Sequence, residues 1–243
     1  FPTRRSSDLF IKMGVPAWAV LLACLFTGAV CGSINGILIV KLQVKPIIVT
    51  LATMNIFRGI TYVYSGGKWV TNLPKGFLLF GNGGVPAVLL LAVLALFTVI
   101  MKYTSFGRHV YAIGSNEESA KLAGIRVDKT KVMVFMVSGI LTGLAAMIFI
   151  GRTGAIQPAA GTGYEMDAIG AAVLGGVSFL GGKGTVFGTI LGAILMGLIL
   201  NGMTLLKISA NYQGLITGLI IILALLLDTV RTIYGESRRR GEQ

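Results

Sequence analysis

The residues able to do chemistry in this chain are few, and their spacing argues against catalysis. Gly181, Gly182, Lys183, Gly184 and Thr185 put a lysine and a hydroxyl into a glycine-rich turn, the ingredients of a phosphate-binding loop. Such a loop needs a glycine five positions before Gly182 and a Ser or Thr directly after Lys183; those positions hold Val177 and Gly184, so the spacing fails. There is no HExxH, no pair of intramembrane aspartates and no serine with a base on the same stretch. His109 is the single histidine and has no Cys or His beside it to share a metal. Cys24 and Cys31 stand seven positions apart in one apolar block, about 10 Å of helical rise, too far to bridge. No metal, cofactor or nucleotide is expected on the chain itself.

What remains is polar chemistry inside apolar surroundings. Asn55, Arg58 and Tyr62 fall at i, i+3 and i+7 on one helix face, and Asn201 lies inside another apolar block. An ionisable side chain in hydrocarbon costs about 2.5–3.5 kcal/mol, so these four are candidates for a translocation path. The alternative is structural: Arg58 snorkels to the outer interface beside Tyr62 while the asparagines hydrogen-bond between helices. Gln157, Tyr164, Glu165 and Asp167 form a second group just ahead of a further apolar block. They read either as an outer gate or as caps of a helix N-terminus, where anions are favoured.

The elements that must position these residues are membrane spans. With 54% hydrophobic and 12% charged residues and 34 glycines among 243, at mean hydropathy +0.83, the chain reads as an all-α polytopic membrane protein. Apolar blocks run 15–40, 46–64, 85–101, 132–151, 166–180, 185–206 and 212–229, giving an expectation of seven crossings. The stretch 165–206 is ambiguous, because about forty residues broken by Gly181 to Gly184 fit either two passes or a re-entrant pair. The net charge of +12 sits at block ends instead of along one stripe, which excludes a nucleic-acid surface.

Between Lys102 and Lys131 lie six Lys/Arg, and the tail carries Arg238, Arg239 and Arg240 in a row; the positive-inside rule makes both cytoplasmic. An even number of crossings must then separate them, which favours two passes over 165–206 and a cytoplasmic Lys183. The segments 65–84 and 152–164 face outward, and Lys41 and Lys45 face inward. Residues 1–12, starting Phe1-Pro2-Thr3-Arg4-Arg5, break the pattern and read as a non-native, adapter-derived leader ahead of a permease domain at 13–243.

Within the basic loop, 111–125 reads as one short capped helix, with Ser115 and Glu118 spaced as a capping box and Gly124 as the stop. A structured helix in such a loop is expected to be a docking surface, formed by Gly114, Ser115, Asn116, Glu117, Glu118, Lys121, Leu122 and Gly124. Glycines at four-residue spacing (28, 32 and 36; 139 and 143; 184, 188 and 192; 214 and 218) predict helices packed backbone to backbone.

Three ordered stretches carry a resemblance: Gly107 to Glu117 (GRHVYAIGSNE), Gln157 to Ile169 (QPAAGTGYEMDAI) and Leu174 to Gly184 (LGGVSFLGGKG). On them the chain resembles the ribose-type permeases of ABC sugar importers over nearly everything after the leader. The resemblance implies about ten spans in the family, of which the seven here form the C-terminal part. It also implies a second permease copy, a cytoplasmic ATPase carrying ATP and Mg, an extracytoplasmic sugar-binding protein and a place in the bacterial inner membrane with the C-terminus cytoplasmic. A glycine- and aspartate-rich family segment upstream has no counterpart in this sequence, and Ser115 stands where many relatives have Gly. An ion-coupled secondary transporter is the rival class, and nucleoside or branched-chain amino acid permeases share the general plan. The ATPase-facing role of the 114–124 helix is what the resemblance implies for the basic loop.

Overall fold

The computed structural model describes residues 17–71, 75–178, 181–209 and 212–226. The leader at 1–12, the tail from Arg231 to Arg240 and the end of the last apolar block lie outside these. The described helices, in chain order, are α1 (Ala17–Leu42), α2 (Pro46–Ser65), α3 (Lys75–Gly81), α4 (Val85–Tyr103), α5 (Ser105–Ser115), α6 (Glu117–Leu122), α7 (Val127–Thr153), α8 (Tyr164–Leu174), α9 (Val186–Leu205) and α10 (Tyr212–Leu226). Among the described residues the only extended pairing is an antiparallel bridge between Val70 and Ile156. The all-α polytopic class therefore stands.

Among the described residues the helices of crossing length are fewer than the seven apolar blocks. Five helices, Trp18–Leu42, Pro46–Ser65, Val85–Tyr103, Val127–Thr153 and Val186–Leu205, are long and apolar enough to cross a membrane, and Tyr212–Leu226 is a shorter apolar helix. The block expected at 166–180 is not a crossing helix. Its helix, α8, has 11 residues, about 16 Å, roughly half the hydrocarbon thickness. It stops because Gly176 adopts φ +80°, a left-handed conformation, and closes a Schellman motif in which Val177 N–H donates to Ala172 O at 3.0 Å and Gly176 N–H to Val173 O at 2.9 Å.

The described residues form two compact units. The first holds α1, α2, α3 and α7. Here α1 and α7 run antiparallel with backbones in contact: a β-carbon at Gly28 would collide with the Gly139 carbonyl, one at Gly32 with the Phe135 carbonyl and one at Gly143 with the Cys24 carbonyl. One at Gly36 would lie 2.8 Å from the Val132 Cα. Only glycine permits this approach, which exchanges side-chain packing for dispersion and Cα–H to carbonyl contacts. Met147 on α7 is fully buried. The helix α3, not anticipated in the polar stretch 65–84, packs on the C-terminal end of α7, where a β-carbon at Gly81 would run into Gly151. The Val70–Ile156 bridge, with N–H to O distances of 3.0 and 2.9 Å, ties the segments that follow α2 and α7.

The second unit holds α5, α6, α8, α9 and α10, with α4 leading into it. Helices α8 and α9 are antiparallel neighbours: a β-carbon at Gly192 would strike the Ala171 carbonyl, and one at Gly175 would lie 2.7 Å from the Gly188 carbonyl carbon. Gly170 faces Ile221 of α10, and Met196 of α9 is buried at 2% exposure.

Candidate functional site

The basic loop contains two helices where one was expected. Thr104 caps α5, its hydroxyl accepting from Gly107 N–H at 3.4 Å. The chain then breaks at Asn116, whose extended backbone (φ −160°, ψ 112°) ends α5 and starts α6. Asn116 N–H donates to Ala112 O at 3.1 Å, while its side-chain oxygen accepts from Ser119 N–H at 2.9 Å. The expected Ser115–Glu118 capping box is therefore corrected: Ser115 is the last residue of α5, and Asn116 is the cap. Asn competes well with Ser for this place because its carbonyl reaches the same amide two to three positions on. The stop falls where the sequence indicated. Gly124 (φ +81°) closes a Schellman motif, with Ile125 N–H on Ala120 O at 3.0 Å and Gly124 N–H on Lys121 O at 3.0 Å.

The eight candidates of this loop divide by direction. On α6, Ala120 is buried at 3% while Leu122 is 91% exposed, a large apolar side chain held away from the rest of the fold. Glu117 pairs with Lys121 at 3.0 Å across one helical turn, both well exposed, an interaction of about 0.3–0.5 kcal/mol. Glu118 is exposed beside them. Gly114 instead lies against the Gly181 to Gly184 turn, where a β-carbon on it would stand 2.5 Å from the Gly182 nitrogen, and Ser115, though exposed, borders the same turn at Gly182. Tyr111, one turn earlier, donates its hydroxyl to Gly184 O at 2.9 Å. The turn carrying Lys183 thus touches the loop that carries the six Lys/Arg. Tyr111 was not singled out in the sequence; a contact across 73 residues leaves no local signal.

The polar residues of the spans are less concentrated. Asn55 donates its amide to Leu51 O of its own helix at 2.9 Å. Asn55 and Tyr62 are exposed and Arg58 is half-buried, leaving that face of α2 uncovered by the rest of the chain. Asn201 on α9 is exposed as well.

The structure relocates Glu165 and Asp167. They were expected at the outer start of a full span, but α8 is half-length: it and α9 lead away from the same glycine turn over 11 and 20 residues. Its N-terminus therefore reaches only about half as far as α9 does, some 16 Å against 30 Å. Gly163 (φ +92°) is the N-cap, and Glu165 turns back so that its carboxylate accepts Gly163 N–H at 3.0 Å. Tyr164 is exposed, and Asp167 and Gln157 are partly so.

Comparison with known proteins bears on what this arrangement serves. A family model described as the branched-chain amino acid transport system / permease component matches residues 6–225. The ribose import permease protein RbsC of Bacillus subtilis (strain 168) is 44% identical over 201 residues, covering 80% of this chain and 62% of that protein. RbsC of Haemophilus influenzae is 41% identical over 230 residues, 90% of this chain and 70% of that protein. The autoinducer 2 import system permease protein LsrC of Salmonella paratyphi B is 38% identical over 228 residues, 90% of this chain and 65% of that protein. The chain spans about two thirds of the length of these relatives. No solved structure matches it. Matched by that model over most of its length, and this similar to import permeases, the chain belongs to the ribose-type ABC permease family.

Proposed function

We propose that this chain is the membrane-spanning permease subunit of an ABC importer that carries a ribose-like monosaccharide inward. In this reading ATP and Mg belong to a separate cytoplasmic ATPase, a binding protein delivers the sugar from outside, and a second permease copy completes the path. The observation that carries it is α6, a two-turn helix capped at both ends and presenting Leu122 at 91% exposure, in a chain similar to proteins named ribose import permeases. Both caps hold α6 rigid, so its apolar knob is presented at little further conformational cost, as docking into a partner groove requires. The basic loop, the Lys183 turn and the C-terminus are then cytoplasmic.

Asn55, Arg58, Tyr62 and Asn201 are the path candidates: three are exposed and Arg58 half-buried, and polar groups left uncovered on spanning helices are best satisfied by water, solute or another subunit. Gln157, Tyr164, Glu165 and Asp167 are the gate candidates. Non-helical chain ahead of a half-length helix is tolerated at membrane depth only where it is covered by protein or lines a cavity. Closure of the ATPase dimer would displace α6 and shift the bundle between outward-open and inward-open states.

The test is uptake of labelled ribose into proteoliposomes holding the full-length protein, its ATPase and its binding protein. ATP-dependent uptake that needs all three is expected, with autoinducer 2 added as competitor to compare the two solutes. Uptake driven by an ion gradient in the absence of the ATPase would transfer the chain to the secondary transporters.

A further inference from the structure

The C-terminal turn of α5 meets the turn before α9 with backbone against backbone. A β-carbon at Gly114 would stand 2.5 Å from the nitrogen and 3.0 Å from the Cα of Gly182; one at Gly181 would stand 2.8 Å from the Gly114 carbonyl oxygen. One at Gly182 would lie 2.7 Å from both the nitrogen and the Cα of Ser115. The Tyr111 hydroxyl adds a hydrogen bond to Gly184 O at 2.9 Å. The Ser115 hydroxyl and the Tyr111 ring are the side chains at this junction, and with backbone against backbone at Gly114, Gly181 and Gly182 rotamer changes leave little room to absorb a displacement, so movement of one segment is imposed on the other.

Both neighbours of this junction are stiff. On one side, a single residue, Asn116, joins α5 to α6. On the other, Ser178 N–H donates to Lys183 O at 3.0 Å and Gly181 N–H to Ser178 O at 3.1 Å, closing the turn on itself. The Gly175–Gly188 and Ala171–Gly192 contacts then fix α8 against α9. The far end of α8 carries Tyr164, Glu165 and Asp167.

We propose that Tyr111, Gly114 and Gly182 are positioning residues that convert displacement of the α5–α6 segment into movement of the α8–α9 hairpin, and so of the polar group at the start of α8. The proposal rests on the importer reading above and deepens it by naming the route from the coupling segment to the gate. A junction that only held the fold together would lose folded protein and activity in proportion. A transmitting junction loses the ratio between them.

Tyr111→Phe and Gly114→Ala in the full-length protein, reconstituted with its ATPase and binding protein, separate the two. The readouts are copurified ATPase, basal ATP hydrolysis, stimulation of hydrolysis by ribose-loaded binding protein, and ribose imported per ATP. Copurification and basal hydrolysis are expected at wild-type level for Tyr111→Phe, while Gly114→Ala, whose β-carbon meets backbone, is read per amount of folded, ATPase-bound protein. Stimulation and ribose per ATP should fall about three- to tenfold for Tyr111→Phe, the range for losing one hydrogen bond, and further for Gly114→Ala. Gly197→Ala on α9, where a β-carbon would meet nothing within 4 Å, should match wild type throughout. Unchanged ribose per ATP in both variants overturns the proposal, as does activity that falls only in step with the amount of folded protein. A wild-type protein that imports ribose without an ATPase removes the importer reading itself, and this proposal with it.

Discussion

Leu122 offers the most direct test of the coupling surface, because the structure fixes both what its removal should cost and what it should leave untouched. The side chain is 91% exposed, so Leu122→Ala deletes almost no contact within the chain. Leu and Ala are also similar helix formers, so α6 itself should hold. If the knob is buried in an ATPase groove, three carbons are lost at about 0.8 kcal/mol each, giving about 2 kcal/mol after allowing for incomplete burial. That corresponds to about thirtyfold weaker docking. The assay is titration of the ATPase onto the full-length protein in nanodiscs, alongside thermal unfolding of the same samples in detergent. Affinity should fall between tenfold and fiftyfold while the midpoint of unfolding stays put. Affinity within twofold of wild type would remove α6 as an apolar docking element. A midpoint lowered by several degrees would show that Leu122 packs inside the fold, contradicting its exposure.

Glu117→Gln breaks the exposed pair with Lys121, worth about 0.3–0.5 kcal/mol, so it should leave unfolding unchanged; a loss of ATPase affinity beyond about threefold in the same titration would reveal a charge contact with the partner. Gly32→Leu drives a side chain into the Phe135 carbonyl and should destabilise the α1–α7 pair by 1–3 kcal/mol or more (roughly, for overpacking), read as a lowered melting temperature, whereas Gly59→Ala, with nothing within 4 Å, should be silent. A cysteine at Lys183, in a background lacking Cys24 and Cys31, should react with an impermeant thiol reagent in inside-out vesicles and not in intact cells. Labelling from outside would reverse the assigned sides.

The sequence made the membrane class legible because hydropathy and length act through the solvent, without tertiary detail. Glycine spacing told correctly that helices pack closely, yet not which ones. Gly28, Gly32 and Gly36 pair with α7, about a hundred positions on, while Gly197, Gly202, Gly214 and Gly218 meet nothing within 4 Å. The sequence left open whether 165–206 makes two passes or a re-entrant pair, because the apolar run continues past the end of α8 to Leu180. Only the left-handed φ of Gly176, which no pattern of hydrophobicity reports, ends the helix there. The loop helix was found from Glu117, Glu118 and Gly124, but its start was misplaced by one residue, since Ser115 and Asn116 are both good caps and the choice between them lies in how α5 ends. The inward role of Gly114 needed the turn at Gly182, distant in sequence. Of the path candidates, Asn55 bonds a carbonyl of its own helix, a local contact that spacing on a helical wheel does not report.

The glycine contact between α1 and α7 also sets a schedule for biosynthesis. Gly28 and Gly139 are about 110 residues apart, so at about 5–20 residues per second α1 waits some 5–20 s in the membrane before its partner is made. Throughout that interval its notched face, Gly28, Gly32 and Gly36, meets only lipid or whatever helix arrives first. The earlier crossings α2 and α4 present no matching row of glycines, with Gly59 the single one on either helix. Neither of these two intervening helices therefore competes for that face on the terms of α7, which brings Gly139 and Gly143, so the pairing is favoured by the poverty of the competitors made between them as well as by the fit of the final partner.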